Sequence, residues 1–454
     1  MGVERGSTLS GSYGTSSRRP QPGRQLKRAA APAVMLAAIA LLTTACNAGT
    51  RPNAVQLNPQ SVGGKPASVA AKYLKISPAS GTTDASPASG ITVSAVQGAK
   101  LASVTVKADG DTVPGSMNGA STTWHNDWTL STGQSYTVTA AGTDSSGHPV
   151  TSTSAFKTLT PSKTFHTTIF EGAGTTYGVG MAIMLTFDHA ITNKAAVERA
   201  LQVTTSHPVI GAWYWDGDTQ VDFRPRDYWP AYTKVSLTAH LNGVDGGGGR
   251  YGTHDLTQTF NIGRSLVAVA STTAHKTQIY LDGALKYTWP ISTGRDTLPT
   301  PNGTYLSEEK ANPVRMIGGT KGKPDYYNEL VNFAVRFTYS GDYYHSAPWS
   351  VVNQGTSNVS HGCVNLAPED AQIYYNMSIS GDPITITGST KAGNWDNGWT
   401  QWFLSWKGLL KGSATGKAVQ AGPSGSSFVA PSSLPADQAS SPVGRSSSGN
   451  YLAG

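Results

Sequence analysis

Cys363 stands in the run Ser360-His361-Gly362-Cys363-Val364-Asn365, and a second histidine, His345, precedes that run by fifteen residues. A thiol attacks carbonyls as its thiolate, and a nearby imidazole is a common base for making one. The chain has 2 cysteines among 454 residues, and the other, Cys46, directly follows an apolar leader. With Cys46 assigned to export, Cys363 has no disulfide partner, and a lone thiol outside the cytoplasm is a liability unless its chemistry is used. Gly362 lets backbone pass close to a substrate, and the N–H groups of Gly362 and Cys363 could hold the oxyanion of a tetrahedral intermediate. This is acyl transfer in outline. An inert packed thiol and a zinc site are the competing readings. Structural zinc takes four ligands, only His345, His361 and Cys363 cluster here, and their spacing matches no common catalytic set. No metal and no cofactor are therefore expected.

These residues need elements to hold them. Gly341-Asp342-Tyr343-Tyr344 reads as a strand that ends on His345. Ala367-Pro368-Glu369-Asp370, with proline and acids ahead of an apolar stripe, reads as a helix start just after the thiol and as one source of thiol activation. Leu266–Val269, Gln278–Leu281 and Ala284–Trp289 suggest a β-meander turning at Asp282-Gly283, and Pro383–Thr387 a closing strand. The catalytic segment is thus 264–388. Residues 389–412, with Trp395, Trp399, Trp402, Phe403 and Trp406 at roughly helical spacing, read as an aromatic C-terminal subdomain.

Upstream, short alternating runs broken by Gly, Asp and Ser recur over 71–161 and again over 162–263, the pattern of two β-sandwich modules. Trp124 and Trp128 are expected in the first core, with a sugar-stacking surface as the alternative. Neither module shows paired acids or a metal-type cluster, so both read as spacers or interaction modules. The fold class is mainly β with one or two short helices. With 51 Gly, 26 Pro and only 13% charged residues, composition agrees with β modules and turns. The net charge of +7 comes without a basic run interleaved with aromatics, so nucleic acid is not an expected partner.

The N-terminus carries an address. Arg18, Arg19, Arg24, Lys27 and Arg28 precede the apolar stretch Ala29–Leu42, and Thr43-Thr44-Ala45 leads into Cys46. This is a secretory signal, 1–46, whose end resembles a lipoprotein box with Cys46 as the lipidated residue, although Thr43 stands where leucine is preferred. An uncleaved membrane anchor is the alternative. Residues 47–70 read as a flexible tether and 413–454, rich in Ser, Gly, Ala and Pro, as a disordered tail. The expected location is the outer face of a bacterial cytoplasmic membrane, facing the cell wall.

The spacing of His345 to Ser360–Asn365, together with Ser292-Thr293-Gly294-Arg295, Pro299–Tyr305 and His345-Ser346-Ala347-Pro348-Trp349-Ser350, resembles the signature of bacterial L,D-transpeptidases with a YkuD-type domain. The two upstream modules resemble the immunoglobulin-like modules of multi-module members. The resemblance implies that Cys363 attacks the bond between the diamino acid and the terminal D-Ala of a peptidoglycan tetrapeptide stem. D-Ala leaves, a thioester forms, and the side-chain amine of another stem resolves it into a 3→3 cross-link. It makes His345 the proton acceptor and donor, oriented by the backbone carbonyl of Ser346, with Gly362 serving the oxyanion. His361 would shape the loop by hydrogen bonding. Tyr327, Ser340, Gly341, Asn365 and Met316 match substrate-contacting positions, Met316 in a lid a few residues shorter than is typical. Peptidoglycan stems, the membrane through a lipid anchor, and carbapenems as covalent inhibitors are the implied partners. An L,D-carboxypeptidase, in which water resolves the thioester, and a non-catalytic envelope-binding lipoprotein are the alternatives.

Overall fold

A computed structural model describes residues 72–323 and 325–434. The leader, Cys46, the tether and the tail from 435 onward lie outside the described residues.

Two four-stranded sheets make the first module. One has the spatial order Leu74–Ser77, Thr92–Ala95, Thr123–Asn126, Gly115–Met117; the other is Asp111–Thr112, Lys100–Ala108, Ser135–Thr143, Pro149–Lys157. Period-two alternation turns Tyr136, Val138 and Ala140 inward, where they meet Leu74, Val93 and Trp124. Trp128 is not part of that core. It stacks on His240 of the second module, ring centroids 3.8 Å apart and 14° from parallel. Beside it Asn242 Oδ1 accepts the backbone N–H of Thr132 at 3.1 Å. A ring stack and a side-chain-to-backbone hydrogen bond thus join the two modules.

The second module sets a six-stranded sheet against a four-stranded one. The larger sheet runs Thr167–Ile169, Ile183–Phe187, Gln220–Pro225, Val209–Asp216, Ala418–Gly422, Gly425–Val429. Its last two strands correct the expectation of disorder from 413 onward: Val209 pairs with Ala421 and Gly211 with Val419. The composition of this segment argues for disorder only while it is alone. Paired on an open edge, its small residues bury Ala418, Val419 and Ala421 without leaving polar backbone unmatched. Glu198, fully buried, secures the approach by accepting the N–H groups of Ala414 and Thr415 at 2.6 and 3.0 Å and the hydroxyl of Ser413 at 2.9 Å.

Residues 389–412 do not form a subdomain either. A 3-10 turn, Gln401–Phe403, and a short helix, Trp406–Lys411, rivet the second module to the catalytic one. Trp402 enters the core of the second module while its neighbour Phe403 enters the catalytic core. Arg224, 1% exposed, lies over the Trp402 ring with its guanidinium carbon 4.3 Å from the centroid. It donates to the carbonyls of Gln401 at 3.1 Å and Leu404 at 2.6 Å.

The catalytic module begins with a five-stranded sheet in the order Ala284–Pro290, Lys276–Leu281, Leu266–Ser271, Pro383–Thr387, Gly303–Leu306. Alternation again assigns the faces: Leu266, Ala268 and Ala270 pack into the catalytic core, and Val267 and Val269 against the second module. A four-stranded sheet, Glu309–Ala311, Ala334–Arg336, Tyr343–Ser346, Val364–Leu366, carries the reactive residues. A hairpin of Val314–Gly318 and Tyr327–Val331 forms a separate two-stranded flap.

Candidate active site

The strand Tyr343–Ser346 pairs in parallel with Val364–Leu366, aligning Tyr344 with Val364 and His345 with Asn365. Aligned residues point to one face and alternate residues to opposite faces, so His345, Tyr343 and Asn365 share a face that continues to Cys363. The opposite face is anchored: the ring of Tyr344 packs on Tyr374 of the helix Pro368–Met377 with centroids 4.8 Å apart, and its hydroxyl lies 3.2 Å from that of Thr277. A rigid strand therefore presents the imidazole.

His345 is 3% exposed, and its Nδ1 is 2.9 Å from the carbonyl oxygen of Ser346. An acceptor at that nitrogen makes Nδ1 the protonated one and leaves the lone pair on Nε2. Burial lowers the imidazole to about 4, the Ser346 carbonyl opposing that shift, so it is a neutral acceptor at neutral pH. Cys363 is 9% exposed, with Sγ 3.8 Å from the carbonyl of Gly341. Its thiol is pushed up to about 12, by burial first and by the charge of Asp342 second, while the Tyr343 backbone N–H directed at the sulfur works the other way. The resting pair is thiol and neutral imidazole, not an ion pair.

The helix does not activate the thiol as the sequence suggested. The strand Val364–Leu366 intervenes, and each strand residue adds about 3.3 Å. The helix start is therefore well away from Cys363, beyond the first-turn reach of its partial charge.

The nucleophile loop is braced from beneath. Ser360 Oγ donates to the carbonyl of Cys363 at 2.7 Å and accepts the N–H of Gly362 at 3.1 Å. Thr300 Oγ1 donates to the carbonyl of Gly362 at 2.6 Å and accepts the N–H of Gly294 at 2.9 Å. The segment Ser292–Arg295 adds to this brace: Ser292 and Asn365 exchange backbone hydrogen bonds, and Arg295 N–H reaches the carbonyl of Ser360 at 3.0 Å. Since the Gly362 N–H is already donated to Ser360, the oxyanion role expected of it falls to other donors. Gly362 is required for shape: φ is +137°, and a Cβ would stand 2.2 Å from Asp342 Oδ1.

Four more expected residues, Met316, Tyr327, His361 and Gly341, gather around the thiol. Met316, on the flap, is 9% exposed and belongs to one apolar cluster with Val331, Ala334 and Cys363, with Tyr327 packed against it. The Tyr327 ring lies 4.5 Å from that of His361. His361 Nε2 is 2.8 Å from Arg295 Nη1, and since guanidinium only donates, that nitrogen is the acceptor. Burial and the Arg295 charge both lower the His361 pKa, and no group of three or more His, Cys, Asp or Glu suited to a metal ion occurs among the described residues. Gly341 contributes the carbonyl facing Sγ. Ser340 is exposed and tied to the aromatic segment, its N–H donating to Asn397 Oδ1 at 2.8 Å. Asn365 departs from expectation: it is 3% exposed and donates from Nδ2 to Ser350 Oγ at 3.0 Å, so it braces the strand beside His345.

The bacterial Ig domain family matches residues 82–245, across both sandwiches, and the L,D-transpeptidase catalytic domain family matches residues 265–386. L,D-transpeptidase 2 of Mycobacterium tuberculosis is 30% identical over 396 residues, 84% of this chain and 96% of that relative. The chain belongs to the L,D-transpeptidase family. L,D-transpeptidase 1 of the same species is 37% identical over 219 residues, covering 47% of this chain and 82% of the relative. A solved L,D-transpeptidase in complex with imipenem is 35% identical and aligns over 50% of this chain and 100% of its own, at a TM-score of 0.43. L,D-transpeptidase 3 of M. tuberculosis, solved with a faropenem-derived adduct, is 33% identical over 48% of this chain and 97% of its own, at a TM-score of 0.41.

Two residues of this transpeptidase site escaped sequence reasoning. Asp342 sits under Gly362, its Oδ2 accepting from Thr338 Oγ1 at 2.9 Å and Ser340 Oγ at 3.4 Å. Thr300, buried, locks the Gly362 carbonyl. Its place inside the Pro299–Tyr305 motif was a signal that something there is constrained; Asp342 read only as part of a strand.

Proposed function

We propose that this L,D-transpeptidase forms 3→3 cross-links by the two half-reactions that its Cys363–His345 site supports. The observation that carries the reading is a buried thiol under the Met316 flap, on the face of a strand that presents a neutral imidazole with Nε2 free. His345 Nε2 takes the Cys363 proton as sulfur attacks the carbonyl between the diamino acid and D-Ala. The N–H group of Cys363 serves the developing oxyanion, and His345 returns the proton to the departing amine of D-Ala. A second stem's side-chain amine then attacks the thioester, passes its proton to His345, and restores the thiol. Burial at 9% and 3% for the two residues shields the thioester from bulk water, which supports transfer to an amine over hydrolysis.

Incubating the purified chain with tetrapeptide stems should give cross-linked dimer and free D-Ala, with none from Cys363→Ala. Tripeptide without dimer would make the enzyme a carboxypeptidase. The relatives solved with imipenem and a faropenem-derived adduct support a β-lactam adduct on Cys363 here as well. Intact mass after carbapenem treatment should show it on the wild type and not on Cys363→Ala. Cys46, at the end of a basic-then-apolar leader, supports lipidation and a place on the outer face of the cytoplasmic membrane. Palmitate incorporation lost in Cys46→Ala tests that; unchanged labelling would overturn it.

A further inference from the structure

Asp342 is a carboxylate beside a thiol that has to ionise, which is the wrong charge in that place unless something offsets it. The geometry is constrained on all sides. Cys363 Sγ contacts the carbonyl of Gly341, one residue before Asp342, at 3.8 Å. Gly362, one residue before Cys363, has its missing Cβ 2.2 Å from Asp342 Oδ1. Oδ2 is occupied by the hydroxyls of Thr338 and Ser340. Among the described residues no hydrogen bond reaches Oδ1, although the carboxyl is half-buried. Burial raises the pKa of Asp342, and the hydroxyls of Thr338 and Ser340 and the charge of Lys391 oppose that.

Every other group around the thiol fails to offset the carboxylate. His345 is neutral, lowered to about 4. Tyr327 and Tyr343 are raised and stay protonated. The guanidinium of Arg295 is committed to His361 Nε2 at 2.8 Å and Thr297 Oγ1 at 3.2 Å. Lys391 is exposed and hydrated, so it competes weakly for a partner. Among the described residues the site thus holds one incompletely partnered carboxylate oxygen next to Cys363 and no fixed cation paired with it.

We propose that Asp342 Oδ1 receives an amine cation of the donor stem's diamino acid, and that cancelling the carboxylate charge in this way arms Cys363 only when such a stem is bound. This rests on the transpeptidase reading above and names the feature of the donor that the site selects. Proton accounting is simple. The ammonium stays protonated in its pair with Asp342, and the only proton to move in the first step goes from Cys363 Sγ to His345 Nε2. A stem whose diamino acid amine is acylated carries no such charge and leaves the thiol in its resting state. The arrangement protects a lone thiol from adventitious reaction while the site is empty.

Two measurements on the full chain test it, with Asp342→Asn as the isosteric variant and Asp342→Glu as the charge-retaining one. First, iodoacetamide labelling of Cys363 against pH needs no substrate: Asp342→Asn should move the midpoint down by about one pH unit, while Asp342→Glu retains most of the wild-type value. Second, acylation by a tetrapeptide stem with a free diamino acid amine is compared with the same stem N-acetylated there, read as thioester mass. The wild type should favour the free amine by about tenfold, and Asp342→Asn should treat both within about twofold. An unchanged labelling midpoint, or a preference intact in Asp342→Asn, overturns the proposal. If the wild type is acylated by neither stem, the transpeptidase reading fails instead, and the labelling shift still decides whether Asp342 restrains the thiol.

Discussion

The joint around Arg224 and the pocket around Cys363 both take polar groups out of water. They differ in how Arg224 and Glu198 on one side and Cys363, His345 and Asp342 on the other are partnered, although Gln401 Oε1 at the joint is itself buried without a partner. At the joint the Arg224 guanidinium reaches the Gln401 and Leu404 carbonyls and stacks on Trp402, and Glu198 collects two N–H groups, a hydroxyl and the indole N–H of Trp215. In the catalytic pocket the thiol has a 3.8 Å contact to a carbonyl and the Tyr343 N–H directed at it, and among the described residues no hydrogen bond reaches His345 Nε2 or Asp342 Oδ1. A buried polar group that is fully partnered contributes to holding the fold together; one left partly unpartnered is costly and is available for reaction. One region therefore reads as structural and the other as reactive, though both are buried.

The sharpest way to separate them is to remove one member from each. His345→Ala should reduce acylation of Cys363 by tetrapeptide stems by about a thousandfold, since the general base is gone, and leave the urea midpoint close to wild type. A comparable loss of stability would mean that His345 serves packing as much as chemistry. Arg224→Ala should do the reverse. It strands two buried carbonyls and uncovers the Trp402 ring, for a loss of about 3 kcal/mol in urea unfolding, while Cys363 in the folded fraction still labels at the wild-type rate. If stability held, the joint would not depend on its guanidinium.

A smaller effect comes from pH. Burial raises Asp222 to about 7 against hydrogen bonds from Gln401 and Gln220, and raises Glu308 to about 7 against the Arg336 charge. Both keep in the folded chain a proton that the unfolded chain releases near pH 4, so their contribution is complete below about 4 and is lost as pH rises through about 7. His345 runs the other way: neutral when folded down to about 4, its contribution fades as pH falls below about 6.5. Thermal midpoints should therefore drop between pH 6 and pH 8, and the drop should shrink in Asp222→Asn. A midpoint that climbs over that interval would contradict the burial argument. The least effect belongs to Ser346→Ala. The group that orients His345 is the main-chain carbonyl, which the substitution keeps, so acylation should stay within about twofold of wild type. A tenfold loss would show that the hydroxyl takes part.

Much of the reactive pocket was legible in the chain because its parts are local. Ser360 to Cys363 form one loop, His345 lies one strand away, and alternation alone places His345 and Asn365 on a shared face. The strands of all three modules carried their period-two pattern for the same reason, each facing a core on one side. Little of the joint was legible. Trp402 and Phe403 look alike in sequence yet enter different cores, and the segment from 413 reads as disorder because its edge partner, Val209–Asp216, precedes the whole catalytic module. Asp342 was equally silent, since a lone acid in a strand says nothing of the glycine it will face.

The sequence by itself determined the family and singled out Cys363 and His345 as the proposed nucleophile and base, because those rest on residue types at short, fixed separations. The tertiary structure alone decided the ionisation state of the pair, the bracing role of Ser292–Arg295 and Asn365, the capture of the C-terminal strands, and the position of Asp342 under Gly362. Each of these depends on burial or on charge across a contact between distant segments, and solvent exclusion is a property of the assembled fold that no local pattern encodes.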